Sequence, residues 1–176
     1  DNTLDYKVIN NIKALGIDMI NSAQSGHPGI VLGAAPILYR LYNKHLIFDK
    51  NNPNWINRDR FVMSAGHGSA LLYATLFMSG FDLTIEDLKN FRKYDSKTPG
   101  HPEINKTPGV DASTGPLGQG FATAVGLAIA EAYLNQKYKS GKNSLIDHYT
   151  YALVSDGDIM EGISYEAASF AGQNKL

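Results

Sequence analysis

The sequence predicts an α/β fold of three layers, α/β/α, with a mainly parallel sheet in the middle. Three observations predict it. Two short apolar segments, residues 60–64 and 149–154, have the composition of buried strands. Each runs into a glycine-containing turn and then a helical pattern, the strand–loop–helix unit of a parallel sheet. Other helical patterns precede and separate these units.

The first element is a helix that ends near Asn21. Leu4, Val8, Ile12, Leu15 and Met19 recur every three or four residues, and Asn2 or Thr3 suits its cap. A Gly- and Pro-containing loop over residues 22–29 separates it from a second helix, residues 31–44, with Leu38, Leu41 and Tyr42 near one face. Residues 48–59 are polar and Asn-rich, with Pro53 and Trp55, and read as an irregular connection. After the strand at 60–64 comes a tight turn over 65–69, then a helix over 70–78. Residues 84–92 read as a short helix. Thr84 suits its cap, and Glu86 and Asp87 fall in the first turn, where the helix dipole favours negative charge. Residues 95–120 hold four prolines and five glycines, the mark of a long ordered loop. Residues 120–138 form a helix crowded with Ala and Gly, able to pack closely, and residues 141–144 break it. The second strand ends in Ser155-Asp156-Gly157-Asp158, and residues 164–173 begin another helix.

Composition removes several classes of function. The 16 basic and 17 acidic residues leave a net charge of -1, so no overall field favours nucleic acid or anionic lipid. With no cysteine there can be no disulfide, thiolate nucleophile, zinc finger or iron–sulfur cluster. No apolar run approaches the ~20 residues that cross a bilayer, and the first residues carry no signal-peptide core. The expectation is a soluble, cytoplasmic globular chain with neither nucleic acid nor membrane as partner.

Three of the five histidines sit beside glycine or proline in loops: His27 in Ser-Gly-His-Pro-Gly, His67 in Ala-Gly-His-Gly-Ser, and His101 in Pro-Gly-His-Pro. Glycine gives the backbone freedom and lets a ligand approach. Each alone also fits a surface loop histidine. His67 lies between a strand end and a helix start, where ligands bind in open parallel sheets and where helix amides face anions. Asp156 ends the other strand. With Gly157 behind it, Asp156 is a candidate ligand for a hard cation such as magnesium, which takes few carboxylates plus phosphate oxygens and water. A helix cap is the alternative. The glycine-rich run Gly115-Pro116-Leu117-Gly118-Gln119-Gly120 is neither a dinucleotide fingerprint nor a Walker A loop. Glu161 and Glu166 fit acid–base groups, or exposed glutamates near a helix start. No two histidines have the i, i+4 spacing of a metallohydrolase.

Together these motifs resemble the transketolase family, thiamine-diphosphate enzymes that move two-carbon ketol units between sugar phosphates. The matching strings are residues 25–29, 59–72 (Asp-Arg-Phe-Val-Met-Ser-Ala-Gly-His-Gly-Ser-Ala-Leu-Leu), 96–103 (Ser-Lys-Thr-Pro-Gly-His-Pro-Glu), 114–120 and 147–164, in family order across nearly the whole chain. The resemblance implies a thiamine-diphosphate-binding fold and a transferase of the pentose phosphate pathway. It implies substrate-contacting and proton-transferring roles for His27 and His101. His67 would lie near the cofactor diphosphate, and Gly115, Pro116 and Leu117 would line the thiamine. Asp156 and Gly157 match the diphosphate–metal motif, with Asp156 a ligand to Mg2+ (or Ca2+); Ser155 stands where the family motif usually opens with Gly. Glu161 matches an acidic residue that links cofactors across a dimer interface.

The resemblance also sets expectations about extent. The family's metal motif closes with an Asn well beyond the Asp-Gly pair, and the chain reaches Leu176 before it. Residues 1–176 would then be the N-terminal portion of the diphosphate-binding domain. The pyrimidine-binding and C-terminal domains would be absent, and the isolated chain inactive. The related families of dihydroxyacetone synthase and deoxyxylulose-phosphate synthase are the nearest rivals, and the string around His101 favours transketolase over the latter. A non-catalytic partner-binding subunit is the rival from another class. A homodimer with the cofactor at the subunit interface is implied, and Ile159, Met160 and Ile163 beside the metal motif suit such a surface. Inward packing of these three is the alternative.

Overall fold

The computed structural model describes residues 2–141 and 143–176. It opens with two long helices, α1 (Asn2–Ala23) and α2 (Pro28–Lys44). Asn2 and Thr3 lie within α1, where a cap had been expected. Ile12, Met19 and Ile20 are buried, with Val8 and Leu15 packed partly against the same core. Leu4 departs from the expected stripe and is 61% exposed. It lines a cavity of about 400 Å³ with Val8, Ile12, Tyr39 and Met78, past the edge of the close packing. Helix α2 starts three residues earlier than its apolar pattern. Pro28 opens it, since proline's fixed φ and missing N–H suit a first turn, and this puts His27 at the N-cap position. Val31, Ala35, Leu38 and Tyr42 form its buried face, while Leu41 is only half-buried.

Strand β1 (Arg60–Met63) and β2 (Thr150–Leu153) pair in parallel, with Phe61 opposite Tyr151, Val62 opposite Ala152 and Met63 opposite Leu153. Side chains alternate across a strand, and here both faces are covered. Phe61, Met63, Tyr151 and Leu153 join the core built by α1, α2 and α3 (Ser69–Met78). Val62 and Ala152 face the other way, against Ala112, Ala124 and Leu127. The last two belong to α5 (Gln119–Tyr138). Helices therefore cover both sides of a parallel sheet, as the three-layer expectation required. Both strands are shorter than expected, ending at Met63 and Leu153. Strand β2 is half-buried throughout, because β1 is its single strand neighbour among the described residues.

Two carboxylates fix the strand starts. Asp59, 3% exposed, accepts from the Ile47 amide at 2.8 Å and the Tyr149 amide at 2.7 Å, tying the irregular 48–59 connection to β2. Asp111 accepts from the Phe61 amide at 2.9 Å and from Arg58 Nη2 at 2.7 Å. Charge-assisted bonds of this kind are the stronger class.

Helix α4 (Ile85–Lys89) has the expected Thr84 cap. The Asp87 amide donates to Thr84 Oγ1 at 3.1 Å, and the Thr84 amide donates to Asp87 Oδ2 at 2.8 Å. It is shorter than the 84–92 expected, since Thr84 itself is extended and Arg92 turns left-handed at φ 63°. From residue 90 to residue 118 the chain has no helix or strand, yet it is pinned by hydroxyl groups. Thr98 Oγ1 donates to Asp87 O at 2.7 Å and Thr107 Oγ1 to Lys97 O at 2.5 Å, and both threonines are buried. Tyr73 and Ser69 of α3 donate to the carbonyls of Pro99 and Gly100, at 2.8 and 2.7 Å. In α5, burial is confined to Gly120, Ala124 and Val125, so the small residues beyond them leave it lightly covered. The expected break at 141–144 includes residue 142, which lies outside the described residues; an isolated bridge joins Ser140 to Asn143. A four-residue helix α6 (Asp156–Ile159), which the sequence reading lacks, precedes α7 (Gly162–Asn174). No helix among the described residues is long and apolar enough to cross a membrane.

Candidate functional site

Parallel strands point their carboxyl ends the same way, and the loops that leave those ends meet. Strand β1 leads through Ser64 and Ala65 into a 3₁₀ turn, Gly66–Gly68, that carries His67. Strand β2 leads into Ser155 and α6. The Ala65 amide donates to Leu153 O at 3.2 Å, joining the two exits. The glycine-rich segment 115–118 lies against both. A Cβ on Gly66 would sit 2.7 Å from the Gly115 amide nitrogen and 2.9 Å from Thr114 Oγ1, closer than real Cβ contacts allow. Gly118 is left-handed at φ 81°, and a Cβ there would meet Glu161 Cβ at 2.7 Å. Both positions need glycine for close approach.

The three loop histidines, spread over residues 27 to 101, come together here. The rings of His27 and His67 meet edge-on, with centroids 5.1 Å apart. His101 lies over Gly115, whose added Cβ would be 3.5 Å from His101 Cδ2. Burial is the main cause that holds His67 below the ordinary imidazole pKa, with repulsion from His27 and His101 adding and Asp158 opposing. His101 is lowered by partial desolvation first, then by Arg92 and His27. A lowered pKa favours a neutral ring near pH 7, which suits His67 and His101 to accept protons. His45 and His148 lie elsewhere, the first at the end of α2 and the second ahead of β2.

The acidic positions divide in a way local sequence does not reveal. Asp156 opens α6 with an exposed side chain. The cap is Ser155, whose Oγ accepts from the Asp158 amide at 3.3 Å, so Asp156 is not the capping residue. Gly157 faces Leu117, with an added Cβ 3.8 Å from Leu117 Cδ1. Pro116 and Leu117 are exposed. Asp158 was not among the expected site residues, yet it is fully buried. Its Oδ1 accepts from the Gly118 amide, and its carbonyl accepts from Ser164 Oγ at 2.7 Å. Asp158 thus ties the glycine-rich segment to the exit of β2. The Ser155-x-x-Asp158 spacing of a capping box was the available signal.

Three buried oxygens at this end of the sheet have no hydrogen-bond partner: Ser64 Oγ, Thr114 Oγ1 and Asp158 Oδ2. Buried polar atoms without partners are uncommon and call for a reason. Glu161 sits at the N-cap position of α7 with its side chain exposed, and Glu166 is exposed on α7. Ile159, Met160 and Ile163 are 49%, 74% and 43% exposed, so they do not pack inward. Among the described residues no group of three His, Asp or Glu side chains could by itself hold a metal ion.

Residues 4–176 match the family described as transketolase, thiamine diphosphate binding domain. The chain belongs to the transketolase family. It is 60% identical to a transketolase of Aquifex aeolicus over 173 residues, which is 98% of this chain and 25% of that one. Transketolase from Leishmania mexicana superposes with a TM-score of 0.93 at 50% identity, covering 96% of this chain and 25% of that one. A transketolase from Pichia stipitis in complex with sedoheptulose 7-phosphate gives 0.92 at 49% identity, again over 96% and 25%. The chain spans about a quarter of the length of the relatives it matches.

Proposed function

We propose that residues 1–176 form the first part of the diphosphate-binding domain of a transketolase. The pyrimidine-binding and C-terminal domains belong to the remaining length of such a protein. The full enzyme would transfer a two-carbon ketol unit from a ketose phosphate to an aldose phosphate, as a cytoplasmic dimer of the pentose phosphate pathway. The observation that carries this reading is the meeting of His27, His67 and His101 beside Gly115, at the carboxyl ends of both strands.

The residues present fit thiamine diphosphate. The buried Ser64 and Thr114 hydroxyls, unpartnered at the same end of the sheet as the histidines, are donors that a diphosphate oxygen could use. His67 would lie near the diphosphate, and Gly115, Pro116 and Leu117 would line the thiamine. Asp156 and Gly157 would face the diphosphate, with Asp156 giving one carboxylate to Mg2+ or Ca2+. A hard cation draws its other ligands from phosphate oxygens and water. Bound thiamine diphosphate supplies an electron sink for breaking a carbon–carbon bond next to a carbonyl.

The chain's own groups manage protons and position. His27 and His101 would hold the sugar hydroxyls and move protons at their imidazole nitrogens, the work for which imidazole is the usual side chain. Glu161 and the exposed Ile159, Met160 and Ile163 would face the second subunit, since apolar patches beside a polar site mark interaction surfaces. The P. stipitis relative's complex with sedoheptulose 7-phosphate supports the substrate class.

The test is a coupled assay on the full-length protein with thiamine diphosphate, magnesium, a ketose phosphate donor and an aldose phosphate acceptor. Turnover that needs all four is expected, with none from residues 1–176 alone. A full-length protein that stays silent with cofactor, magnesium, donor and acceptor all present would overturn the reading.

A further inference from the structure

The proposed reaction uses the three histidines and leaves out the cation beside them. Arg92 follows α4 in left-handed backbone, φ 63°. Its amide donates to Thr98 O at 3.0 Å, which helps fix that conformation. A non-glycine residue there is strained and persists only where its surroundings hold it. The surroundings are specific. The guanidinium carbon lies 5.5 Å from the centroid of the buried Phe91 ring. The stem crosses Gly100, where an added Cβ would be 3.4 Å from both Arg92 Cγ and Nε. Nη1 donates to Ser25 Oγ at 2.5 Å. Nε is buried with no hydrogen-bond partner. A solvated surface arginine would not have a buried, unpaired nitrogen.

One side chain therefore touches two of the three histidine loops. Ser25 is two residues before His27, and Gly100 is the residue before His101. Those loops are far apart along the chain, one ahead of α2 and the other after α4. We infer that Arg92 is a positioning residue: it straps the His27 loop to the His101 loop and sets the charge that His101 faces. The inference deepens the transketolase reading and rests on it for the catalytic consequence. The groups around His101 are Arg92 beyond α4, His27 ahead of α2 and His67 on the turn after β1, with Glu103 exposed on its own loop. After partial desolvation, Arg92 is the next cause that holds the His101 pKa low. An arginine keeps its charge at every working pH, so this influence is constant.

The test uses the full-length protein and two readouts. Histidine C2 hydrogen–deuterium exchange, followed by mass spectrometry across pH, gives a titration midpoint for each histidine without any assay. The steady-state kcat/KM gives the catalytic consequence. Arg92→Gln should raise the His101 midpoint and lower kcat/KM by roughly 10- to 100-fold, the scale of small misplacements at a reacting centre. Arg92→Lys should keep the midpoint low, because the charge remains, yet still lose activity because an ammonium lacks the planar fork. Ser25→Ala should lower kcat/KM with the His101 midpoint unmoved. His148, whose shift comes from burial and Arg60, is the internal control and should not respond to any of the three. An unmoved His101 midpoint in Arg92→Gln, or an equal shift of His148, overturns the charge role. Wild-type kcat/KM in Ser25→Ala overturns the strap. Should the full-length protein turn over no sugar phosphate, the transketolase reading falls, while the His101 midpoint still decides the role of Arg92.

Discussion

The two faces of the sheet are finished to different degrees. On one face α3 is buried almost end to end, from Ser69 to Leu76, between α1, α2 and β1. On the other face, α5 buries three residues and α7 buries Ser164 alone. Large apolar side chains stand exposed there, including Ile129, Tyr133, Tyr165 and Phe170. The first face is a closed core, and the second is a surface of the kind that other protein covers. The difference teaches that close packing is concentrated on one side of a short sheet, with the histidine cluster at its end.

The sharpest way to break that comparison is to cut into the closed side. Leu71, fully buried in α3, should lose about 2–5 kcal/mol of stability on substitution by Ala, the range for a buried leucine. Denaturant unfolding of the chain measures it, and a loss below about 1 kcal/mol would mean that α3 is not the centre of the core. Next comes the tie between the two sides. Asp158→Ala removes the acceptor for the Gly118 amide and should cost about 1–3 kcal/mol, the penalty for a buried group left without its partner. Amide hydrogen exchange should quicken at Gly118 before it quickens in α3, while Asp158→Asn, which keeps an acceptor, should show the smaller change.

Acid should act through the histidines at the junction. His67 and His101 have folded pKa values below their ordinary value. Below about 6.5 the unfolded chain therefore binds more protons than the folded one. Their stabilising contribution is complete above that pH and is lost as pH falls through the folded values. The denaturation midpoint should drop between neutral pH and pH 5, and less so when both are replaced by Gln. The smallest effect on stability belongs to the open side. Tyr165→Ser, at 60% exposure, should change stability by no more than ~0.5 kcal/mol while reducing self-association in sedimentation. A large destabilisation there would make the second face part of the core after all.

How much could be read from sequence follows the same division. Strand β1 was legible because Phe61, Val62 and Met63 are apolar on consecutive positions, which a strand covered on both faces requires. Strand β2 was legible as an element, but its half-burial was not, since burial depends on neighbours that a sequence does not number. Leu4 continues the stripe of α1 by period alone, and only tertiary packing shows that the core stops before it. In the site, His27, His67 and His101 were found through their glycine and proline neighbours. Asp158 and Arg92 were missed for a common reason. Asp158 is one glycine away from the exposed Asp156, and Arg92 stands among ordinary charged residues, so neither differs locally from a solvated side chain. What distinguishes them is a partner far along the chain, Gly118 in one case and Ser25 in the other.

The segment from residue 90 to residue 118 brings a last consequence. Its principal anchors are hydroxyls of Thr98, Thr107, Tyr73 and Ser69 given to main-chain carbonyls. None of these anchors changes protonation between pH 5 and 8; the Tyr73 hydroxyl is pushed far above that window by burial. These hydroxyl anchors thus keep their protonation state while His101 itself titrates. A change of protonation at the imidazole breaks none of these hydroxyl bonds, so under the role proposed for His101 a proton could be exchanged there without releasing its mount.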